Sequence, residues 1–333
     1  MILHHLSFLL RLAAGQTAIT LRRVFRGPRV VGWTVAEERL HGLIGAFVRG
    51  TVRWGFAWAR SVESRAAGGS PFVRRTRWRT LELAGVPAVE VTPAAGEGGD
   101  RTVLYLHGGG YCIGSPATYR EIIARLALAG HAATIAPAYR LAPEHPFPAG
   151  HDDCLAVYRA LLAEGRDPGR VVVAGDSAGG ALAISVLHCA RDEGLALPAG
   201  VLLFSPLADP WAEGGTLESH QTTDTLDLPF VRRCFEAARI ADLRDDPRAR
   251  ALGADLRGLP PVLIQVGALE MFVDQDRALH RRLCDAGVES ELREYPLLFH
   301  TFQNLGSQVP RADIAVRDAE AWAARLLGLA GRG

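Results

Sequence analysis

The 333-residue sequence predicts an α/β fold: a mostly parallel, eight-stranded sheet flanked by helices, with a helical cap over one end. Three observations predict it. Beyond residue 100, short runs of β-branched and aliphatic residues alternate with helix-length segments, the rhythm of parallel strands joined by crossover helices. Ahead of residue 76 the spacing is helical and rich in aromatics. Between residues 205 and 261 a long excursion breaks the strand rhythm, and excursions of that length are more often binding segments than bare loops. Residues 1–76 are therefore expected to form an N-terminal cap segment and residues 77–333 the main α/β domain, with residues 207–258 contributing to the cap.

Taken in order, residues 1–70 carry Trp33, Phe47, Trp54, Phe56 and Trp58 at helical spacing. The apolar stretch 1–12 is interrupted by His4 and His5, lacks the basic start of a secretory signal and is too short to span a bilayer. With Leu12, Ile19, Leu21, Val24 and Phe25 it fits amphipathic helices that cover a core, with weak lipid-surface association as the alternative. Residues 60–71, centred on Ala66-Ala67-Gly68-Gly69, read as a linker. Residues 77–83 and 87–92 alternate like strands joined by a turn at Gly85, which makes an antiparallel edge, and residues 94–100 form a second Gly-rich turn. Strands follow at 102–106, 132–136, 171–174, 201–204, 262–266 and 289–295. Helices are expected near 119–129, 152–163, 229–238 and 311–327. The last strand, at a sheet edge, is available for pairing with a second subunit in a homodimer.

Composition narrows the function. Hydrophobic residues are 48% of the chain, ample for a large core, and a net charge of +1 gives no reason to expect a nucleic-acid partner. The five cysteines are scattered, odd in number and without C-x-x-C spacing, as expected of reduced thiols in a cytoplasmic protein. The histidines show no H-E-x-x-H or comparable cluster, so no metal is expected.

The chemistry centres on Gly175-Asp176-Ser177-Ala178-Gly179-Gly180, placed after the strand run Val171-Val172-Val173-Ala174 and at the start of a helix. A serine hydroxyl is a poor nucleophile at its own pKa and needs exposure to a base, which a strand-turn-helix elbow provides. The Ala178 N–H, at the helix start, can donate to an oxyanion. Upstream, His107-Gly108-Gly109-Gly110 follows a strand, and consecutive glycines let backbone amides converge on developing negative charge; Gly108 and Gly109 are the expected donors. Catalytic partners then follow in the chain order serine, acid, histidine. Of the histidines after Ser177, His188 sits on the elbow helix, His220 in the excursion and His280 on a surface helix. His300, in a loop after the last strand, is the expected base. Glu270, just beyond strand 262–266, is the expected acid, and Asp274 the alternative.

These motifs, with Tyr139-Arg140-Leu141-Ala142-Pro143-Glu144-His145-Pro146-Phe147-Pro148-Ala149 and Ser205-Pro206, resemble the bacterial hormone-sensitive-lipase-like esterases of the α/β-hydrolase superfamily over roughly residues 77–325. The resemblance implies a serine carboxylesterase that hydrolyses short- to medium-chain or hydrophobic esters through an acyl-enzyme, with a small-molecule ester as partner and no cofactor. It also implies that residues 139–149 brace the site, so that Glu144 and His145 are not catalytic. Many members have aspartate-proline where this chain has Glu270-Met271. An amidase or acyltransferase using the same three residues, and a non-catalytic receptor on this fold, are the alternatives; such receptors lack the histidine that this chain retains at 300.

Overall fold

A computed structural model describes residues 2–66, 69–96 and 99–329. Three helices lead the chain: α1 (Ile2–Arg26), α2 (Val35–Trp54) and α3 (Phe56–Ala66). Thr34 caps α2 with its side chain accepting from the Glu37 N–H, while Glu37 returns a bond to the Thr34 N–H, a reciprocal cap that fixes where the helix starts. The linker expected at 60–71 is in its first half the end of α3. Arg60 holds it there by donating to the Cys112 and Ala142 carbonyls at 2.8 and 2.6 Å. Ala67 and Gly68, central to that expectation, lie outside the described residues, as do Glu97 and Gly98 of the turn expected at 94–100.

Strands β1 (Thr76–Leu83) and β2 (Val86–Pro93) form the antiparallel edge. Then β3 (Thr102–Leu106), α4 (Arg120–Gly130), β4 (Ala133–Pro137), α5 (Ala149–Ala163), β5 (Val171–Asp176), α6 (Ala178–Asp192) and β6 (Gly200–Phe204) alternate as read from the sequence. The excursion supplies a one-turn helix α7 (Thr216–Ser219) and α8 (Leu228–Ala238) before β7 (Val262–Gly267), α9 (Val273–Asp285), β8 (Ser290–Tyr295) and α10 (Pro310–Leu326). The sheet has eight strands in the order β1-β2-β4-β3-β5-β6-β7-β8, parallel from β4 onward. It is the predicted fold, and β8 is at its edge.

Central strands are apolar on both faces because both are covered. Leu104, Leu106, Val171 and Val173 pack on one side with α5, α6 and α9, whereas Val103, Tyr105, Val172 and Ala174 pack on the other with α4 and α10. Period-two alternation thus divides one strand between two cores. Helix α2 packs against α1, α3 and α8, so the N-terminal helices and the excursion meet over the carboxyl ends of the strands, where the loops converge.

Candidate active site

Ser177 is the single residue between β5 and α6, with φ 51° and ψ −120°. A non-glycine side chain rarely adopts that conformation, and it persists only where surroundings over-determine it. Here they do. The Ser177 N–H donates to the Phe204 carbonyl, and the Ser177 carbonyl accepts from Gly180 and Leu207. Gly179 admits the close approach of α6 to β3, since a Cβ there would lie 2.0 Å from the Leu106 carbonyl oxygen. The elbow therefore presents Ser177 Oγ to a cavity rather than to a neighbouring turn.

His300 comes from the loop after β8, and its Nε2 lies 2.9 Å from Ser177 Oγ. Its Nδ1 is 3.1 Å from Glu270 Oε2. A carboxylate at Nδ1 keeps the proton on that nitrogen and leaves Nε2 to accept from the serine. Glu270 is fully buried in the turn between β7 and α9, where its Oε1 accepts from Ser205 Oγ at 2.7 Å and from the Gly267 N–H at 2.5 Å. Burial opposes the charged imidazolium, but the Glu270 hydrogen bond and charge, with Asp224 and Asp176 behind it, outweigh burial and raise His300 above the ordinary histidine value. Burial likewise pushes the Glu270 carboxyl up, against the bond from His300. Asp274, the alternative acid, is elsewhere: it accepts from the Thr216 N–H, pairs with Arg277 at the start of α9 and has a half-exposed side chain. Its position on the first turn of α9 turns it away from His300. His188, His220 and His280 pair with Asp192, Ser219 and Ser290 respectively.

Sequence reasoning missed Asp224. From the excursion, its Oδ1 accepts from the His300 N–H at 3.0 Å and its Oδ2 from the Met271 N–H at 2.8 Å, so one buried carboxylate ties the histidine loop to the glutamate turn. Its carbonyl oxygen is 2.8 Å from His41 Nε2 on α2. Burial pushes His41 down to about 4, which leaves it neutral at pH 7 and able to donate from Nε2. No local pattern marks Asp224, and the contacts that give it meaning lie 47 and 76 residues away.

Among the expected amide donors, Gly108 is already committed: its N–H donates to Asp176 Oδ1 at 2.9 Å, an oxygen that also accepts from Tyr105. The carboxylate beside the serine thus removes Gly108 from the set and fixes the glycine loop. Gly109, Gly110 and Ala178 N–H have no acceptor among the described residues, and both glycines line the cavity. Gly109 has φ +109°, and a Cβ there would meet the Ile113 carbonyl oxygen at 2.2 Å. The brace read at 139–149 is in place. Tyr139 stacks on His107 at 4.2 Å and donates to its carbonyl, while Glu144 is exposed and paired with Arg60.

The cavity above Ser177 holds about 150 Å³ and is apolar, roofed by Ile44, Phe47 and Val48 of α2 and by Phe230, Val231 and Phe235 of α8. A second cavity of about 630 Å³ shares Ile44, Phe47 and Glu63 with it. Glu63 was hidden in the segment read as linker. Burial pushes its carboxyl up to about 7, against the hydrogen bond from the Gly114 N–H. The five cysteines are free, and no cluster of histidine, cysteine and acidic residues fit for a metal occurs among the described residues. No described helix is long and apolar enough to cross a membrane.

Known proteins resemble this chain in sequence and fold. Residues 103–304 match the family model described as the alpha/beta hydrolase fold. An acetyl-hydrolase of Streptomyces hygroscopicus is 41% identical over 233 residues, 70% of this chain and 77% of that protein. A carboxylesterase of Mycobacterium tuberculosis, NlhH, is 36% identical over 226 residues, 63% of this chain and 69% of that one. The crystal structure of an esterase from the bacterial hormone-sensitive lipase family superposes with a TM-score of 0.84 at 33% identity, covering 90% of this chain and all of that one. On fold, motifs and relatives together, the chain belongs to the α/β-hydrolase family, in its bacterial hormone-sensitive-lipase-like esterase group.

Proposed function

We propose that the chain is a serine carboxylesterase for esters with small apolar acyl groups, with Ser177 as nucleophile, His300 as general base and acid, and Glu270 as the group that orients and charges the imidazole. The observation that carries this reading is the run of contacts from Ser177 Oγ to His300 to Glu270, buried at the floor of an apolar cavity. His300 Nε2 takes the hydroxyl proton as Ser177 Oγ attacks the ester carbonyl. The carbonyl oxygen becomes an oxyanion, held by the Gly109, Gly110 and Ala178 amides; loss of one such donor typically costs about two to three orders of magnitude in rate. Collapse expels the alcohol, which receives the proton from His300, and leaves an acyl-Ser177. Water, deprotonated by the same imidazole, then releases the acid.

The N-terminal helices and residues 207–258 act as the cap in this reading. A cavity of about 150 Å³ is of the size that accommodates a benzene-sized group, so the inner pocket suits a short acyl chain and the larger neighbouring cavity the rest of the ester. The acetyl-hydrolase name of one relative agrees with that size. The test is a graded series of nitrophenyl esters turned over by the native enzyme and by Ser177→Ala. Turnover should be greatest for short acyl groups, and the variant should lose about a million-fold in kcat. Equal turnover by both proteins overturns the assignment.

A further inference from the structure

A surface helix ordinarily turns its apolar stripe to the core and its charges to water. Helix α1 does not. Leu3, Leu6, Leu10, Leu21, Val24 and Phe25 are each at least 54% exposed. At about 100° per residue these six fall within about 100° of arc, and Ala13 and Thr17 fill the gap between them. Inside the half-circumference centred on that stripe there is no charged residue over 25 residues, a length of about 38 Å, and Arg11 stands at one edge of it. The other side of the same helix is already used. Phe8 packs edge-on against Trp54 and Trp58, Arg23 pairs with Glu38 at 2.6 Å, and Gln16 donates to the Arg39 carbonyl.

We propose that this outward face of α1 docks on an anionic lipid surface, with the helix lying in the plane of the interface. Charge selects the lipid over a second copy of the chain. The first 36 residues contain five arginines and no aspartate or glutamate. Arg22 and Arg23 are paired with Glu38, whereas Arg11, Arg26 and Arg29 have no carboxylate partner among the described residues. Two chains packed through α1 would crowd these arginines together with no acid in the strip to answer them. Anionic headgroups neutralise them while the leucines and Phe25 enter the acyl boundary, the pattern of an interfacial helix with a basic rim. The site does not depend on the reaction proposed above. It does place the surface near the substrate route, because Phe8, on the inner side of α1, lines the 630 Å³ cavity that shares Ile44, Phe47 and Glu63 with the cavity over Ser177.

The test uses the full chain in flotation assays with phosphatidylcholine vesicles made with and without phosphatidylglycerol, alongside Leu10→Glu/Leu21→Glu. Both positions are exposed, so the variant should keep the native melting temperature and native turnover of a water-soluble ester. The native protein should float with the anionic vesicles, bind the neutral ones at least tenfold more weakly and be released by salt. The double variant should lose roughly tenfold or more in partitioning, as expected when two interfacial leucines become charged. Native protein that stays with the soluble fraction overturns the proposal, as does a variant that floats like the native chain. Equal binding to neutral vesicles refutes the role given to the arginines. A native dimer that the substitutions dissociate, without vesicle binding, assigns the face to self-association instead.

Discussion

Replacing Glu270 by glutamine tests the proton inventory of the site at one atom. Glu270 Oε1 accepts from both Ser205 Oγ and the Gly267 N–H, so a glutamine must place its carbonyl oxygen there to satisfy two buried donors. Its NH2 group then faces His300 Nδ1, 3.1 Å away in the native protein, and the imidazole answers by accepting at Nδ1 and carrying its proton on Nε2. That tautomer cannot take the Ser177 proton. The analogous aspartate-to-asparagine change in a serine protease costs about 10⁴ in kcat by the same switch, and a fall of that order is expected for Glu270→Gln. The variant also loses the main influence that raises His300, leaving only Asp224 and Asp176 to oppose the lowering by burial. The proposed mechanism requires neutral His300, so native kcat/KM should fall as pH drops through a value above the ordinary 6.5, and the residual activity of the variant should persist to lower pH. The assay is steady-state hydrolysis of a nitrophenyl acyl ester across the pH range, with KM measured separately. A variant within tenfold of native kcat, or one whose acid limb does not move, refutes the reasoning.

Other outcomes follow from the same contacts. Asp224→Ala leaves the His300 and Met271 N–H groups buried without acceptors, at about 1–3 kcal/mol each, so the melting temperature and kcat should both fall while KM changes little. Asp224→Asn, which restores one acceptor oxygen, should recover part of the kcat; no recovery would make the residue merely structural. Gly109→Ala drives a methyl into the Ile113 carbonyl at a backbone angle alanine rarely adopts, and should lower kcat by about tenfold or more through the displaced amide. Unchanged kcat would remove Gly109 from the oxyanion site. Burial raises Glu63 from 4.5 to about 7, so its contribution to stability is complete below about pH 4.5 and is lost as pH rises through 7. Glu63→Gln should therefore gain stability relative to the native protein between pH 5 and 8, by an amount on the order of 3 kcal/mol at most. Denaturant titrations at the two pH values measure it, and a difference independent of pH would contradict the assigned cause.

The parts legible in the sequence are those whose signal is local or set by chain order. A buried parallel strand is a continuous apolar run, so β3 begins and ends as read and the other strands lie within two residues of expectation. His300 was reachable because only one histidine after Ser177 follows the last strand. What the sequence left open or missed depended on three-dimensional neighbours. Glu270 and Asp274 are four residues apart and chemically alike; one closes the turn after β7 and faces inward, while the other begins α9 and faces Thr216. Gly108 and Gly110 are indistinguishable as sequence, and Asp176, the residue before Ser177, decides which amide is spent. The Ala-Gly composition after Arg60 suggested a linker because composition does not reveal the two carbonyls that anchor Arg60.

Asp224 and His41 also bear on what the proposed cap would do. A cap that only covered the pocket would affect which esters enter, and so KM. Here α2 sends His41 to the Asp224 carbonyl, and the Asp224 carboxylate holds the backbone N–H of His300. Trp33 and Phe299 both pack against the His41 ring and against each other, and the Trp33 indole N–H donates to the Leu297 carbonyl at 2.7 Å, three residues before the imidazole. The N-terminal segment therefore grips the histidine loop at two points, through Asp224 and through Leu297. An imidazole positioned for proton transfer tolerates little displacement, since misplacement by about 1 Å can cost on the order of a hundredfold. Movement of α2 relative to the sheet should thus be felt in kcat as well as in selectivity, and any event that displaces the N-terminal helices acts on His300 as well as on the route to Ser177.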